Sequence, residues 1–251
     1  MGFAAFNAVT CSALVAKIIS SSVYYTIFTY NIPYIAMVPD LFFDSSVSVL
    51  KLTGENVSRE EVVIHGPNGD VVVDIYRPID NDVHGAMLIA VGAAPQIRDH
   101  PGVIRFGNVV SSTGTIVMVP QLHYPFRQGE LPDDIASLVG AFQQNVDEIA
   151  VAYEWLMDQS YVDPSRSGIF GASAGSGLAL VAIDDERIKD EVSFFVAMGT
   201  YYDMVDLFNY ITTRSFESDG QVIKWDPWLG SSRILYKSLF RYLPNDKEII
   251  T

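Results

Sequence analysis

One short segment, SGIFGASAGSGLAL at residues 167–180, limits the possible folds of this chain more than any other. A short apolar run ends at Gly171, and a run of small, helix-compatible residues begins after Ser173. Only small neighbours fit around a serine at a sharp turn from a strand into a helix, which explains the two glycines of G-x-S-x-G. The segment therefore predicts a strand, an exposed serine and a helix in direct succession.

The remaining core pattern alternates between strands and helices. Apolar residues recur at helical spacing from residue 133 to residue 159. Asn68-Gly69, between two β-branched runs, predicts a hairpin that adds antiparallel strands at one edge. Together these features predict an α/β fold with a mostly parallel sheet flanked by helices. Three further short apolar runs are typical of strands buried on both faces: residues 85–92, 115–120 and 192–199.

The serine motif suggests nucleophilic catalysis. A serine hydroxyl needs a base that takes its proton and donors that hold the oxyanion. The backbone N–H of Ala174, at the start of the predicted helix, would be one such donor, assisted by the helix dipole. One alternative to a nucleophile at Ser173 is a purely structural turn. Another is a loop that binds phosphate or a dinucleotide, although GASAGSG departs from the G-x-G-x-x-G spacing of such loops.

The segment YVDPSRSGIFGASAGSGLAL resembles the nucleophile elbow of the α/β-hydrolase superfamily, in particular of its dienelactone-hydrolase-like and esterase members. GAMLIAVGAAP resembles the family's strand and oxyanion loop, with Val91 where many members have histidine, and the likeness covers about residues 59–245. It implies a serine hydrolase that acts on an ester, lactone or related acyl bond of a small molecule, with no metal or organic cofactor. It also implies a second oxyanion donor, the backbone N–H of Ala93, directly after Gly92.

The partners of the serine do not follow the superfamily's order, which runs from serine to an acid and then to a histidine. No histidine follows Ser173 in this sequence. We therefore expect the acid and the base to lie in a later part of a longer protein, the fold to be incomplete at its C-terminus, and the 251-residue chain alone to be inactive. All four histidines precede the serine: His65, His84, His100 and His123.

Two of these histidines lie where a parallel sheet has its active edge, beyond the carboxyl ends of strands. We predict that His100 and His123 line the mouth of the pocket. Recruitment of one of them as the base is the alternative, because triads exist in other chain orders. His65 and His84 are predicted to lie at the surface. Asp203 occupies a place where a few relatives carry the acid, but an N-cap of the next helix is the better interpretation.

The N-terminal region differs from the rest of the chain because residues 18–38 carry no charge. About 20 apolar residues span the hydrocarbon core of a bilayer. We therefore predict an apolar helical anchor at residues 1–38 that associates with a membrane. The alternative is a helix pair packed against the soluble domain, and the protein would then be cytoplasmic. The formal charge of −14 argues against nucleic-acid binding. The single cysteine, Cys11, excludes an intrachain disulfide.

These patterns divide the chain into a connector at residues 39–58, a core at residues 59–200 and the start of a cap at residues 201–251. A second class of function is a non-catalytic binding or scaffold protein of the same fold, whose cap would contact an apolar ligand or partner. The sequence determines neither the substrate nor the oligomeric state. The aromatic side chains of the cap that such a ligand would meet are Tyr201, Tyr202, Trp225 and Trp228.

Overall fold

The computed structural model describes residues 54–92, 98–123, 135–201 and 203–227. The predicted N-terminal anchor lies outside these residues. Within them, no helix combines the length and the apolar character that a membrane crossing requires.

The fold begins with the expected hairpin. Strands β1 (Val57–Gly66) and β2 (Gly69–Pro78) pair antiparallel along their whole length. Pro67 and Asn68 form the connection, and Gly69 has a φ of 129°, which a side chain would disfavour. β1 starts two residues before the predicted beginning of the core at residue 59.

The four short apolar runs form the parallel part of the sheet. They are β3 (Ala86–Ala90), β4 (Ile116–Pro120), β5 (Gly168–Ala172) and β6 (Phe194–Met198). The six strands follow the order β1-β2-β4-β3-β5-β6, with β4 antiparallel to β2 and parallel to β3. The sheet is therefore mixed: an antiparallel edge continues into a parallel half, as the sequence pattern predicts.

Helices cover the sheet. They are α1 (Pro101–Ser111), α2 (Ile135–Met157) and α3 (Ala174–Ala182), and a 3-10 turn at Pro164–Arg166 leads into β5. In the second half of α2, Ile149, Tyr153 and Leu156 of the apolar stripe are completely buried. This long helix and the inner strands together form one hydrophobic core.

The region after residue 200, where the sequence predicts the start of a cap, contains a helix and a hairpin. Helix α4 (Met204–Thr213) is present, but a two-stranded hairpin of β7 (Ser215–Ser218) and β8 (Gln221–Lys224) follows it. Asp219 and Gly220 connect the strands with φ angles of 52° and 73°, the double positive φ of a tight hairpin turn. The Asp-Gly pair is the sequence signal for this hairpin.

β6 forms the other edge of the six-stranded sheet. Among the described residues it pairs only with β5, and the side chains of Phe194, Val196 and Met198 are exposed. Unpaired strand groups beside exposed apolar side chains favour association with another strand.

Candidate active site

The backbone places Ser173 at a sharp turn between β5 and α3. Its φ of 54° and ψ of −131° lie in a region that side-chain-bearing residues rarely adopt. Ser173 is exposed, and its side chain does not cap the helix that follows. Such a conformation costs about 1 to 3 kcal/mol. The turn has the geometry of a nucleophile elbow, which holds a serine side chain clear of the sheet.

Two glycines allow this turn because helix and strand approach each other closely. A Cβ on Gly171 would lie 2.5 Å from Ser176 Cα, and a Cβ on Gly175 would overlap the carbonyl oxygen of Ala90. Both obstacles are backbone atoms that cannot rotate away. The glycines of the motif are therefore required for the contact between α3 and the ends of β3 and β5.

The end of β3 lies directly against the serine. A Cβ on Gly92 would lie 2.8 Å from Ser173 Cβ and 3.1 Å from Ser173 Oγ. The backbone after β3 thus passes beside the hydroxyl, where the sequence predicts the oxyanion loop. Ala174 opens α3, so its N–H belongs to the first-turn donors that have no acceptor within the helix. Ala93, the second predicted donor, lies outside the described residues.

His123 and Glu148 form a close pair at the carboxyl edge of β4. The backbone N–H of His123 donates to Glu148 Oε2 at 3.0 Å, and His123 Nδ1 lies 2.5 Å from Glu148 Oε1. Gln144 Nε2 donates to the same Oε1 at 3.0 Å. The carboxylate is buried, with 4 % of the side chain exposed, whereas the imidazole is 51 % exposed. A buried acid therefore holds an accessible imidazole.

Sequence reasoning missed Glu148 because acidic residues on amphipathic helices usually face solvent. Its signal is helical spacing: Asn145, Glu148 and Ala152 follow one another by three and four residues, and all three are buried. A polar pair on the buried face of α2 indicates partners from another element.

Two further predicted site residues, His100 and Asp203, are helix caps. His100 Nδ1 accepts from the backbone N–H of Gly102 at 3.1 Å and caps α1. The Asp203 carboxylate accepts from the backbone N–H groups of Val205 and Asp206 and caps α4, in agreement with the preferred interpretation of that residue.

The aromatic cap is described in part. The Tyr201 ring lies against α3, because a Cβ on Gly177 would lie 2.8 Å from its hydroxyl oxygen. Burial raises the pKa of this phenol. Trp225 is partly exposed and follows β8. Tyr202 and Trp228 lie outside the described residues.

The two remaining histidines lie away from Ser173. His84 precedes β3, at the amino ends of the parallel strands, and His65 lies in β1 near the turn of the first hairpin. His65 is exposed and contacts Asp70. His84 is partly buried, with 14 % of its side chain exposed. Its Nδ1 lies 3.0 Å from the carbonyl oxygen of Gly114, and its Nε2 lies 2.9 Å from Asp80 Oδ1. Glu55 joins this pair, and the three groups have ligand atoms within 4.8 Å of one another, close enough in principle for a cation.

Comparisons with known proteins agree with this geometry. Residues 132–234, which include the elbow, match the prolyl oligopeptidase family. No curated protein matches the chain significantly. The esterase Est22 superposes with a TM-score of 0.50 at 15 % identity, over 78 % of this chain and 58 % of the esterase.

Two further solved structures are similar at lower TM-scores. Brefeldin A esterase, a bacterial homologue of human hormone-sensitive lipase, matches at 0.48 with 15 % identity, over 76 % of this chain and 54 % of the esterase. The dienelactone hydrolase of Anabaena variabilis matches at 0.42 with 21 % identity, over 56 % and 62 %. The chain thus spans a little over half the length of these structures.

Proposed function

We propose that the chain is a serine hydrolase of the α/β-hydrolase superfamily and that Ser173 is its nucleophile, which cleaves an ester, lactone or related acyl bond. The positive φ of Ser173 at the end of β5 carries this proposal. A strained backbone that exposes a hydroxyl is costly in a merely structural turn, but it is expected at a nucleophile.

The oxyanion that forms on the acyl carbonyl needs two convergent donors. We assign the N–H of Ala174 as the first donor, because it opens α3 beside the serine and the helix dipole favours negative charge there. We assign the N–H of Ala93 as the second. Its neighbour Gly92 lies within contact distance of the Ser173 side chain, which supports this assignment.

A peptide bond is the second candidate substrate. The match of residues 132–234 to the prolyl oligopeptidase family favours it. The same serine and oxyanion donors serve both substrates, because ester and amide hydrolysis pass through tetrahedral intermediates of the same kind. Comparing p-nitrophenyl acyl esters with prolyl peptide anilides distinguishes the two.

A fluorophosphonate probe tests the nucleophile directly. We expect only weak labelling of Ser173 in the 251-residue chain, because we expect its acid and base to lie in a later part of a longer protein. Ser173→Ala should abolish this label, and mass spectrometry of the labelled peptide measures it. Ser176→Ala is the matched control, because this neighbouring serine is buried and its hydroxyl points to the carbonyl of Met198. Equal label in the Ser173→Ala and Ser176→Ala variants, or no label at Ser173 in a longer chain that supplies an acid and a histidine, would support the non-catalytic binding protein instead.

A further inference from the structure

We propose that Glu55, Asp80 and His84 form a binding site for a zinc ion at the amino ends of the parallel strands. Glu55 precedes β1, and Asp80 and His84 lie in the segment between β2 and β3. Their ligand atoms, two carboxylate oxygens and one imidazole nitrogen, all lie within 4.8 Å of one another. The site is separate from Ser173, which lies at the carboxyl end of β5, so the proposal does not depend on the nucleophile.

The contact of His84 with Gly114 determines which ring nitrogen faces the carboxylates as a possible ligand. A backbone carbonyl only accepts hydrogen bonds, so Nδ1, 3.0 Å from the carbonyl oxygen of Gly114, carries a proton. Nε2 faces the two oxygens of Asp80 at 2.9 and 3.1 Å, and an ionised carboxylate is also only an acceptor. Either a second proton or a metal ion therefore lies between Nε2 and Asp80. Histidines that bind a metal through one nitrogen usually donate the other N–H to a carbonyl or carboxylate, as Nδ1 does here.

The charge of the three side chains favours a divalent cation over a second proton. A doubly protonated His84 would offset only one of the two negative charges of Glu55 and Asp80. Within the ranges that the structure describes, no lysine or arginine forms an ion pair with either carboxylate, and Asp80 pairs with His84 alone. Two carboxylates this close repel each other unless positive charge lies between them. A divalent cation beside a neutral imidazole would offset both charges.

The mixed set of donors indicates which metal fits. Zn²⁺ binds imidazole nitrogen and carboxylate oxygen at about 2.0 to 2.2 Å in tetrahedral geometry, whereas Ca²⁺ and Mg²⁺ prefer oxygen ligands. Neighbouring ligands of a tetrahedral zinc ion are about 3.3 Å apart at these bond lengths, and His84 Nε2 and Asp80 Oδ1 are 2.9 Å apart. Glu55 is exposed, so its side chain can rotate toward the ion. Three protein ligands leave the fourth position to water.

Backbone hydrogen bonds already hold parts of this site in place. The N–H of Glu55 donates to the carbonyl of Ser112 at 2.9 Å, and the N–H of Asp82 donates to Asp80 Oδ1 at 2.9 Å. A bound zinc ion would therefore connect the segment before β1 to the segment between β2 and β3, beside the turn that leads into β4. An ion that binds the folded chain but not the unfolded chain stabilises the fold by mass action, which is the role that we assign to it.

Titration with ZnCl₂ tests the proposal. Isothermal titration calorimetry on the full chain, freed of metal with EDTA, should show a single zinc ion bound per chain, and zinc should raise the midpoint of thermal unfolding. CaCl₂ should do neither. Glu55→Gln, Asp80→Asn and His84→Gln should each weaken zinc binding at least about tenfold, the loss that even a change beside a ligand causes. His65→Gln is the matched control, because the exposed His65–Asp70 pair should contribute nothing to zinc binding.

The outcomes separate this site from other places where zinc could bind. If the wild-type chain does not bind zinc, a second proton lies between Nε2 and Asp80 and the inference is wrong. If the three ligand variants bind zinc as tightly as the wild type, or if His65→Gln removes the binding, the ion lies elsewhere and the inference is equally wrong. Glu55→Gln should fold because its carboxylate is exposed, and circular dichroism verifies that each variant does. Labelling of Ser173 plays no part in this test, so its result leaves the proposed function untouched.

Discussion

Two histidine–carboxylate pairs lie at opposite edges of the same sheet and differ in which member is buried. At the carboxyl edge, Glu148 is buried and His123 is half exposed. At the amino edge, 14 % of the His84 side chain and 30 % of the Asp80 side chain are exposed, and both ring nitrogens of His84 contact protein acceptors. In the His123–Glu148 pair the imidazole is accessible from outside the fold. In the His84–Asp80 pair the imidazole connects two segments of the chain through non-covalent contacts.

A histidine–carboxylate pair therefore has a different role at each of these two places in the fold. His84 connects the loop before β3 to the turn before β4, so its contacts hold elements together. His123 follows β4 at the edge where Ser173 and Gly92 meet. We therefore expect substitutions at the amino edge to change stability and substitutions of side chains at the carboxyl edge to change labelling of Ser173.

The largest effect should come from the elbow glycine Gly175, a residue at the carboxyl edge whose substitution should nevertheless change stability. Gly175→Ala places a Cβ against the backbone carbonyl of Ala90 and should lower the free energy of unfolding by about 3 kcal/mol. Urea unfolding measures it. Gly140→Ala is the matched control: nothing lies near its Cβ within α2, so this variant should be more stable by about 1 kcal/mol. A stable Gly175→Ala variant would contradict the close approach of α3 and β3.

The next effect concerns reactivity rather than stability. Gly92→Ala introduces a Cβ 2.8 Å from Ser173 Cβ, and the shift of the serine needed to relieve it should slow labelling about 100-fold. Melting curves should show that the variant remains folded. Labelling at the wild-type rate would mean that the β3 end does not constrain the nucleophile.

We expect the contribution of Asp185, which follows α3, to the free energy of unfolding to depend on pH. Hydrogen bonds from Arg187 lower the pKa of Asp185 from 3.8 to about 2. The ionised carboxylate therefore stabilises the fold above about pH 4, and this contribution is lost as the pH falls through 2. Asp185→Asn should lower the free energy of unfolding by about 1 to 2 kcal/mol at pH 7 and by much less at pH 2. Asp184→Asn, the exposed neighbour, should cause no change, and an Asp185→Asn effect as large at pH 2 as at pH 7 would exclude this explanation.

The smallest effect sharpens the comparison of the two pairs. His84→Gln should cost about 1 kcal/mol of stability through its lost hydrogen bonds, with the labelling rate of Ser173 unchanged. His65→Gln, in an exposed pair, is the control and should change neither. A slower labelling rate in His84→Gln would show that the amino edge also influences the nucleophile.

The sequence predicts the sheet, the long helix and the elbow because each depends on neighbours in the chain. Apolar runs, helical spacing and the small residues around Ser173 are local signals. The His123–Glu148 pair could not be predicted, because it joins residues 25 positions apart and depends on the side of α2 that faces the sheet. The contact of His84 with the carbonyl of Gly114 could not be predicted for the same reason, since the two residues are 30 positions apart.

The positive φ of Ser173 means that the residue needed for the reaction is not the one that would make the fold most stable. Glycine adopts this conformation at little cost, so Ser173→Gly should fold more stably while it loses the nucleophile. Random variants of this chain that are selected for thermal resistance alone would drift toward glycine at position 173, whereas variants selected for reaction with an acyl probe would keep serine. The residue at this single position thus reports which of the two pressures has acted on a sequence with this fold.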